Sequence, residues 1–412
     1  MHDVIAPLGD ADVLVIVGIG LAGLRVAESA REMGFGGKLV LISDEAHAPY
    51  DRPPLSKGML LGDDDVASIA LAPKGLESLN ADVRLGVAVV SIDRAAKRIT
   101  LSDGADISYS ALVLATGSRV RELPLLPRGG DDVHYVRTLD DALRLRSAFR
   151  PDAHGAIVGG GVIGLEVAAA ARKAGCAVTL IEPMTRVMPR NAAPVVSEFI
   201  TDMHRAAGVL FVLGAGIESA MRADGKWRLH LSNGAVVEAD FVVVGIGVVP
   251  NTALAAACGL EVDAGGIVVD ACGRSSDASI YAAGEVALHD NAQYGPRTRM
   301  ETWSHAVAHG EHVGRALMGS VESYAEPLSY WTDQYDVSLK VVGAPQGDCD
   351  IVRGDPSAHS FLVFHIKDGV IAGVSAANAV RELRSAKKLL GRRAPDDLNV
   401  LSDVAEPLAK LA

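Results

Sequence analysis

The chain has 412 residues, of which 49% are hydrophobic and 22% charged, with 43 glycines and a formal net charge of −12. This length predicts about two or three domains, and the acidic balance argues against nucleic acid as a partner. No apolar run approaches the roughly 18 residues of a membrane span, and the acidic first segment lacks the basic region of a signal peptide. The four cysteines form no C-x-x-C pair, which argues against a disulfide scaffold or zinc ribbon and indicates a cytoplasmic protein.

The first predicted element is a dinucleotide-binding unit in which a strand runs through a glycine-rich turn into a helix and a second strand. In this motif the first glycine allows the turn and the second admits a pyrophosphate to the backbone. The third glycine lets helix and strand pack closely, and an acid after the second strand binds the ribose. The parts are the apolar strand 13–17, Gly18, Gly20 and Gly23, the alanine-rich helix 24–33, the strand 39–42, and Asp44 or Glu45.

A second copy of this unit begins near residue 156, and we expect its strands, helix and acid to be in register with the first. Unrelated glycine turns are the weaker interpretation, because every contextual part of the motif recurs. Two such sites in one chain most simply hold a bound flavin and a diffusing nicotinamide cofactor. The parts are the strand 156–158, Gly159, Gly161 and Gly164, the helix 165–174, the strand 177–181, and Glu182.

The residues around Glu182 indicate which nicotinamide cofactor is used. No arginine is adjacent to Glu182, and the nearest candidates for a 2′-phosphate are Arg186 and Arg190. A carboxylate at this position accepts hydrogen bonds from an unphosphorylated ribose. The sequence therefore predicts NADH rather than NADPH.

Further segments carry a family resemblance. They are Pro-Tyr-Asp-Arg-Pro-Pro-Leu-Ser-Lys at 49–57, Leu-Val-Leu-Ala-Thr-Gly at 112–117, the run 240–251 and Ile-Tyr-Ala-Ala-Gly-Glu at 280–285. Together with the two turns they resemble the NADH-dependent, FAD-containing ferredoxin reductases of bacterial oxygenase systems, the family of putidaredoxin reductase and the biphenyl-type dioxygenase reductases.

The resemblance implies an α/β fold with two Rossmann-like dinucleotide-binding domains, as in glutathione reductase, and a smaller α+β C-terminal domain. The FAD-binding domain is expected to be discontinuous, over residues 1–117 and 246–325. The NAD-binding domain is expected over 118–245 and the C-terminal domain over 326–412.

The resemblance also implies residue roles. Lys57 and Glu166 are placed on the catalytic side, where they position and tune rather than exchange protons. Glu285 stands where the family carries aspartate, at a helix N-terminus beside the ribityl chain, so its longer side chain implies either a direct contact or a shifted backbone. The implied FAD contacts are Gly18, Gly20, Ala22, Gly23, Asp44, Arg52, Lys57, Val89, Ala115, Thr116, Gly117, Arg137, Gly284, Glu285, Trp303 and Trp331. The implied NAD contacts are Gly159, Gly161, Val162, Ile163, Gly164, Glu166, Glu182 and Gly247.

The implied activity is hydride transfer from NADH to FAD, followed by one-electron transfer to a [2Fe–2S] ferredoxin of an aromatic-ring or P450 oxygenase system. Residues 44–60 contain no cysteine, which argues against the dithiol or flavin-side cysteine of related disulfide and peroxide reductases. Two alternatives stay open. One is a monodehydroascorbate or quinone-type NADH reductase, and the other is an NADH-sensing interaction protein of the apoptosis-inducing-factor type.

Two polar stretches in the C-terminal part of the sequence can be interpreted either as ordinary structure or as functional sites. His305, His309 and His312 share a helical face, but no H-E-x-x-H motif or cysteine accompanies them, so we expect no metal site. The stretch 381–393 has six basic residues against one acid. It is either a solvated helix face or a docking surface for an acidic ferredoxin. The sequence is compatible with a monomer or a homodimer.

Overall fold

The computed structural model describes residues 7–72, 75–291 and 295–411. The chain divides into two compact units. Unit 1 comprises Met1–Asp51, Val66–Arg119 and Val248–Pro327, and unit 2 comprises Arg52–Asp65, Val120–Gly247 and Leu328–Ala412. The three predicted domain boundaries stay a prediction beside this division. Within the described ranges, no helix combines the length and the apolar character that a membrane span requires.

The strands of the described residues are, in chain order, β1 Val13–Val17, β2 Lys38–Ile42, β3 Ala81–Arg84, β4 Val89–Asp93, β5 Arg98–Leu101, β6 Asp106–Ser108, β7 Ala111–Leu114, β8 Ser118–Val120, β9 Val133–His134, β10 His154–Val158, β11 Ala177–Glu182, β12 Val209–Leu213, β13 Ile217–Ala223, β14 Lys226–Leu231, β15 Val236–Ala239, β16 Phe241–Val244, β17 Val248–Pro250, β18 Val262–Asp263, β19 Gly266–Val268, β20 Ile280–Ala282, β21 Ala287–Asn291, β22 Gly295–Thr298, β23 Ser329–Gln334, β24 Val337–Gly343, β25 Cys349–Asp355, β26 Ser360–Lys367 and β27 Val370–Ala377.

The helices are α1 Leu21–Glu32, α2 Gly58–Leu61, α3 Leu139–Ala148, α4 Val162–Lys173, α5 Pro194–Ala206, α6 Ala253–Ala257, α7 Trp303–Leu317, α8 Val380–Ala386 and α9 Asn399–Ser402. Short 3₁₀ turns lie at Pro53–Ser56, Glu77–Leu79, Gly284–Val286, Pro356–Ala358, Lys387–Leu389 and Leu408–Lys410.

Unit 1 is built on a parallel sheet of order β20–β7–β1–β2–β3. The central strand β1 is almost entirely apolar and buried, as a strand covered on both faces requires. Helices α1 and α7 cover one face, where Gly310 of α7 lies so close to α1 that a Cβ there would be 2.5 Å from the Ala22 carbonyl oxygen. This close approach, which requires glycine, fixes α7 beside the first glycine turn.

Unit 2 contains a second parallel sheet, of order β12–β11–β10–β16–β9, and the antiparallel meander β13–β14–β15. Its C-terminal part is an antiparallel sheet of order β23–β24–β27–β26–β25, whose apolar face packs against α8 and α9. The segment 52–65 adds a 3₁₀ turn and α2, and both contact α4. In each parallel sheet the strand before the glycine turn lies between two parallel neighbours, the arrangement in which doubly wound proteins bind ligands.

The predicted helices at 24–33 and 165–174 begin three residues too late, because α1 starts at Leu21 and α4 at Val162. The second glycine of each turn is the N-cap, so the third glycine already lies in the first helical turn. For Glu285 the expectation is a helix N-terminus, and the helix there is short. This residue lies in a three-residue 3₁₀ turn rather than at the start of a longer helix, since α7 begins only at Trp303.

Candidate functional site

The first glycine turn has the backbone that a dinucleotide requires. Gly18 has φ of +92°, and a Cβ on it would lie 2.3 Å from the carbonyl oxygen of Ala115. A Cβ on Gly23 would lie 1.9 Å from the Gly18 oxygen, whereas one on Gly20 would meet nothing within 4 Å. No side chain caps α1 at Gly20. Helix α1 therefore begins with N–H groups that no capping side chain occupies, which fits a pyrophosphate.

The second turn repeats this geometry in unit 2. Gly159 has φ of +107° and approaches Gly245, whose oxygen would be 2.4 Å from an added Cβ. A Cβ on Gly164 would lie 2.1 Å from the Gly159 oxygen, and Gly161 again faces open space at an uncapped helix start. Val162 and Ile163 supply the first N–H groups of α4. Two turns of the same geometry thus fit two dinucleotides.

The acids that follow the two turns differ in position, contrary to the expected register. Glu182 is the last residue of β11 and is only 7% exposed. Its carboxylate accepts hydrogen bonds from the backbone N–H groups of Gly160 at 2.7 Å and Met184 at 2.9 Å. In unit 1 the equivalent position after β2 is Ser43, because Val17 pairs with Ile42 as Val158 pairs with Ile181. Asp44 comes one residue later and is exposed.

The two arginines considered for a 2′-phosphate have different surroundings. Arg186 donates to the Ala192 oxygen at 2.8 Å, to Ser197 Oγ at 2.7 Å and to the Pro189 oxygen at 3.0 Å. It is therefore occupied in holding its own loop. Arg190 is exposed, and its guanidinium would lie 3.7 Å from a Cβ on Gly247.

Lys57 and Glu166 lie together in unit 2. The Lys57 ammonium is 2.8 Å from Glu166 Oε1 and donates to the Pro53 carbonyl oxygen at 3.2 Å. The Ser56 hydroxyl donates to Glu166 Oε2. Glu166 is only 3% exposed, so it is a buried partner of Lys57 and not a solvated carboxylate at a helix start.

Sequence reasoning missed the side chains behind Glu166. The Thr332 hydroxyl donates to Glu166 Oε1 at 2.6 Å, and the Gln334 amide donates to Thr332 at 2.9 Å. His204 contacts Gln334 in turn, with Nε2 2.7 Å from Oε1. The available signal was the alternation along β23, because Thr332 and Gln334 are polar residues at buried positions of a strand.

The remaining FAD candidates of unit 1 divide into those near the first turn and those elsewhere. Gly284 has φ of +73°, and a Cβ there would lie 2.5 Å from the Ala22 Cβ, so this turn reaches the start of α1 with Glu285 next to it. Thr116 donates to the Asn251 carbonyl oxygen at 2.9 Å and precedes Gly117, whose φ is +57°. Trp303 Nε1 donates to Asp51 at 2.8 Å, and Val89 is buried at the start of β4.

The FAD candidates of unit 2 other than Lys57 are Arg52, Arg137 and Trp331. Arg52 donates to the Arg137 carbonyl oxygen at 2.5 Å. Trp331 is half-buried on β23 and lines a groove of about 260 Å³. The cofactor role of each candidate in both units stays a prediction.

Comparison with known proteins shows the family. The model of the pyridine nucleotide-disulphide oxidoreductases matches residues 12–310, and a reductase C-terminal model matches 329–412. The chain belongs to the pyridine nucleotide-disulphide oxidoreductases. The expected family resemblance and the expected fold class are thereby confirmed.

Named relatives narrow the comparison. The ferredoxin–NAD⁺ reductase component of an anthranilate 1,2-dioxygenase system from Burkholderia cepacia is 41% identical over 95% of this chain and 97% of its own. The corresponding component of a p-cumate 2,3-dioxygenase system from Pseudomonas putida is 38% identical over 98% and 99%. The solved structure of a covalent putidaredoxin reductase–putidaredoxin complex matches with a TM-score of 0.92 and 36% identity, over 97% of this chain and 98% of that one.

This pyridine nucleotide-disulphide oxidoreductase has no disulfide among its four cysteines, all of which are described and free. Cys176 is buried, and burial raises the pKa of its thiol. Burial also raises the thiol pKa of Cys258 and of Cys272. The thiolate is the nucleophile in disulfide exchange, so the raised pKa makes Cys176, Cys258 and Cys272 weaker nucleophiles near neutral pH.

A histidine cluster, defined as His289, His305, His309 and His312, lies inside unit 1. All four rings are buried, and within the described residues no group of three ligand side chains is arranged for a metal ion. His309 Nδ1 accepts the Gly284 backbone N–H at 3.0 Å, and His305 Nδ1 lies 2.9 Å from the Tyr324 hydroxyl. Burial lowers the pKa of every member, that of His305 to about 3. These are neutral rings packed behind the Gly284 turn.

Proposed function

We propose that the chain is the ferredoxin–NAD⁺ reductase component of a bacterial oxygenase system, which takes electrons from NADH through FAD to a [2Fe–2S] ferredoxin. The observation that carries the proposal is the presence of two open glycine turns in a chain whose four cysteines are all free. The names of the dioxygenase-system relatives support the same activity. The free cysteines also support a reducing, cytoplasmic location.

Each group of residues has a task in this activity. When bound, FAD supplies the conversion of a two-electron donor into two single-electron deliveries. The N–H groups at the starts of α1 and α4 hold the two pyrophosphates, and Glu182 faces the NADH ribose. Lys57 and Glu166 orient the nicotinamide side, and neither exchanges a proton with substrate.

We propose the basic stretch 381–393 as the docking surface for the ferredoxin. Its single acid, Glu382, forms an ion pair with the buried guanidinium of Arg353 at 3.2 Å, so it does not offset the outward charge. Opposite charge on two partners accelerates their encounter. The exposed cations are Arg381, Arg384, Lys387, Lys388, Arg392 and Arg393.

A groove supports this choice of surface. Lys387 and Leu383 of the basic stretch line it together with Trp331 and Lys340 of β23 and β24. The groove therefore joins the basic stretch to the one tryptophan of unit 2 that the resemblance places beside the flavin. A ferredoxin held by the cations would lie next to that side chain.

The activity is tested by stopped-flow absorbance of the flavin with NADH, followed by mixing with a [2Fe–2S] ferredoxin. We expect rapid flavin reduction and then rapid reoxidation by the ferredoxin. Faster reoxidation by a quinone or by monodehydroascorbate would contradict the proposal. So would slow turnover accompanied by NADH-dependent dimerisation.

The docking surface is tested by charge reversal. We expect the pair Lys387→Glu and Lys388→Glu to raise the KM for ferredoxin about tenfold at low salt, and to leave flavin reduction by NADH unchanged. Added salt should narrow the difference between the variant and the unchanged chain. The pair Lys38→Glu and Lys97→Glu, exposed in unit 1, makes the same change in net charge and serves as the control. An unchanged KM in the first pair would refute the docking surface.

A further inference from the structure

A carboxylate in unit 2 is held by donors from two other segments of the chain. Glu166 lies in the second turn of α4, Ser56 and Lys57 lie at the 3₁₀ turn before α2, and Thr332 lies on β23. Glu166 Oε1 receives both the Lys57 ammonium at 2.8 Å and the Thr332 hydroxyl at 2.6 Å, and Oε2 receives the Ser56 hydroxyl. Both oxygens of this buried carboxylate are therefore occupied by donors.

The hydrogen bonds behind Thr332 have a fixed direction. The Gln334 amide donates to Thr332 Oγ1 at 2.9 Å, so the one hydroxyl hydrogen of Thr332 goes to Glu166. The amide oxygen of Gln334 can only accept, which places a proton on His204 Nε2, 2.7 Å away. His204 Nδ1 then accepts from the Tyr335 hydroxyl at 3.3 Å.

The three side chains of this hydrogen-bond network are as buried as the carboxylate that they orient. Thr332 is 1% exposed, Gln334 2% and His204 0%. Burial lowers the pKa of His204 to about 4, so the ring is neutral near pH 7. The hydrogen-bond network therefore orients Glu166 without adding a second charge. Lys57 is the cationic partner of Glu166.

We propose that Thr332, Gln334 and His204 are positioning residues for the Glu166–Lys57 pair, an inference that rests on the proposed function. The Lys57 ammonium has two acceptors in unit 2, Glu166 Oε1 and the Pro53 oxygen, which leaves its third hydrogen for a bound cofactor. The direction of that third hydrogen depends on where Oε1 lies. Thr332 prevents the carboxylate from turning, and it thereby fixes the ammonium during hydride transfer.

The first test removes the Thr332 hydroxyl without changing the shape of the side chain. We expect Thr332→Val to lower the limiting rate of flavin reduction by NADH about tenfold, with little change in the Kd for NADH. Thr332→Ser keeps the donor and should restore the rate. Thr201→Val, which removes another buried hydroxyl of unit 2 that donates to the Ser197 carbonyl oxygen, is the matched control. An unchanged rate in Thr332→Val, or a Thr332→Ser variant as slow as the valine, would overturn the proposal.

A double-mutant cycle separates positioning from packing. In a Glu166→Gln background we expect Thr332→Val to have less than about a twofold further effect, because its target is already altered. An equal loss in both backgrounds would show that Thr332 acts independently, and would refute the inference. If Thr332→Val does not fold, Gln334→Met takes its place in the same cycle.

Histidine ¹⁵N NMR supplies a readout that needs no turnover. We expect His204 to be the neutral tautomer protonated at Nε2 in the unchanged chain, and to lose this preference in Gln334→Met. A proton on Nδ1 in the unchanged chain would refute the direction of the network. None of these measurements uses a ferredoxin. If the protein did not reduce any ferredoxin, the proposed function would fail, but the positioning role of Thr332, Gln334 and His204 would still be tested.

Discussion

The two glycine turns share one backbone but are supported by different surroundings. The first is backed by the Gly284 turn and the neutral rings of the histidine cluster, through the contact of His309 with the Gly284 N–H. The second is backed by two buried carboxylates, Glu182 at the end of β11, which accepts the Gly160 N–H of the turn, and Glu166 on α4. The phosphate-binding geometry is therefore a property of the local backbone, while the polar support is particular to each unit.

This difference fits two cofactors that are used differently. Close packing at Gly310 and Gly284 holds the first turn in place, as a permanently bound flavin would require under the proposed function. A nicotinamide cofactor that exchanges needs charged and hydrogen-bonding groups to orient it on each arrival. We infer that cofactor binding and stability at the first turn are lost chiefly through steric change and acid. At the second turn, we infer that cofactor binding is lost chiefly when single hydrogen bonds are removed.

The largest effect is expected from a methyl group in the first turn. A Cβ on Gly23 would lie 1.9 Å from a backbone oxygen that cannot move away cheaply. We expect Gly23→Ala to lower the free energy of unfolding by about 3 kcal/mol and to abolish retention of flavin, measured by urea denaturation and by flavin absorbance.

The control for that variant is Gly20→Ala. Nothing lies within 4 Å of a Cβ at Gly20, so the flavin-free protein should keep its stability while flavin is held more weakly. A Gly23→Ala protein that purifies with its full complement of flavin would contradict the inference that the first turn depends on close packing.

Acid should affect unit 1 through the histidine cluster. The pKa of His305 falls from the ordinary value of 6.5 to about 3 on burial, so below pH 6.5 the unfolded state binds more protons than the folded state. Stability is therefore lost as pH falls from about 6.5 towards 3. At pH 5 this one ring costs about 2 kcal/mol, and the other three members add to it.

Urea denaturation at pH 7.5 and pH 5 measures this loss. His305→Phe should reduce the dependence on pH by the share of this one ring, because the other three buried rings remain. A dependence that is the same in His305→Phe as in the unchanged chain would show that His305 binds its proton equally well in the folded and unfolded states.

The residues that could be predicted from the sequence are those whose role is set by their nearest neighbours. The glycines follow from the turn itself, and a strand of Val-Leu-Val-Ile-Val is recognisable alone. Thr332 lies 166 residues from Glu166, and Gln334 lies 130 residues from His204. No local sequence pattern connects such pairs. Of the residues in this hydrogen-bonded group, the family resemblance indicated only Lys57 and Glu166. The offset of Asp44 depends on where strand pairing ends, which the spacing of acids does not show.

A smaller effect is expected at Glu182. In Glu182→Gln one of the two backbone donors, Gly160 or Met184, must face an NH₂ group in place of a carboxylate oxygen. We expect the Kd for NADH to rise about tenfold and the preference over NADPH to narrow, with flavin content unchanged. Equal affinity for NADH in the variant and the unchanged chain would remove Glu182 from the ribose site.

The smallest effect is expected at Asp44, the acid of the first unit. This side chain is exposed and one residue beyond the position that corresponds to Glu182. Water screens the interactions of an exposed carboxylate, so Asp44→Asn should weaken flavin retention by less than about threefold, measured by equilibrium dialysis of flavin. If Asp44→Asn weakened flavin retention as much as Gly20→Ala, then Asp44 would contribute to cofactor binding at the first turn as strongly as Glu182 does at the second. In their acids the two sites would then differ only in sequence spacing, because each would depend on its acid to hold the ribose.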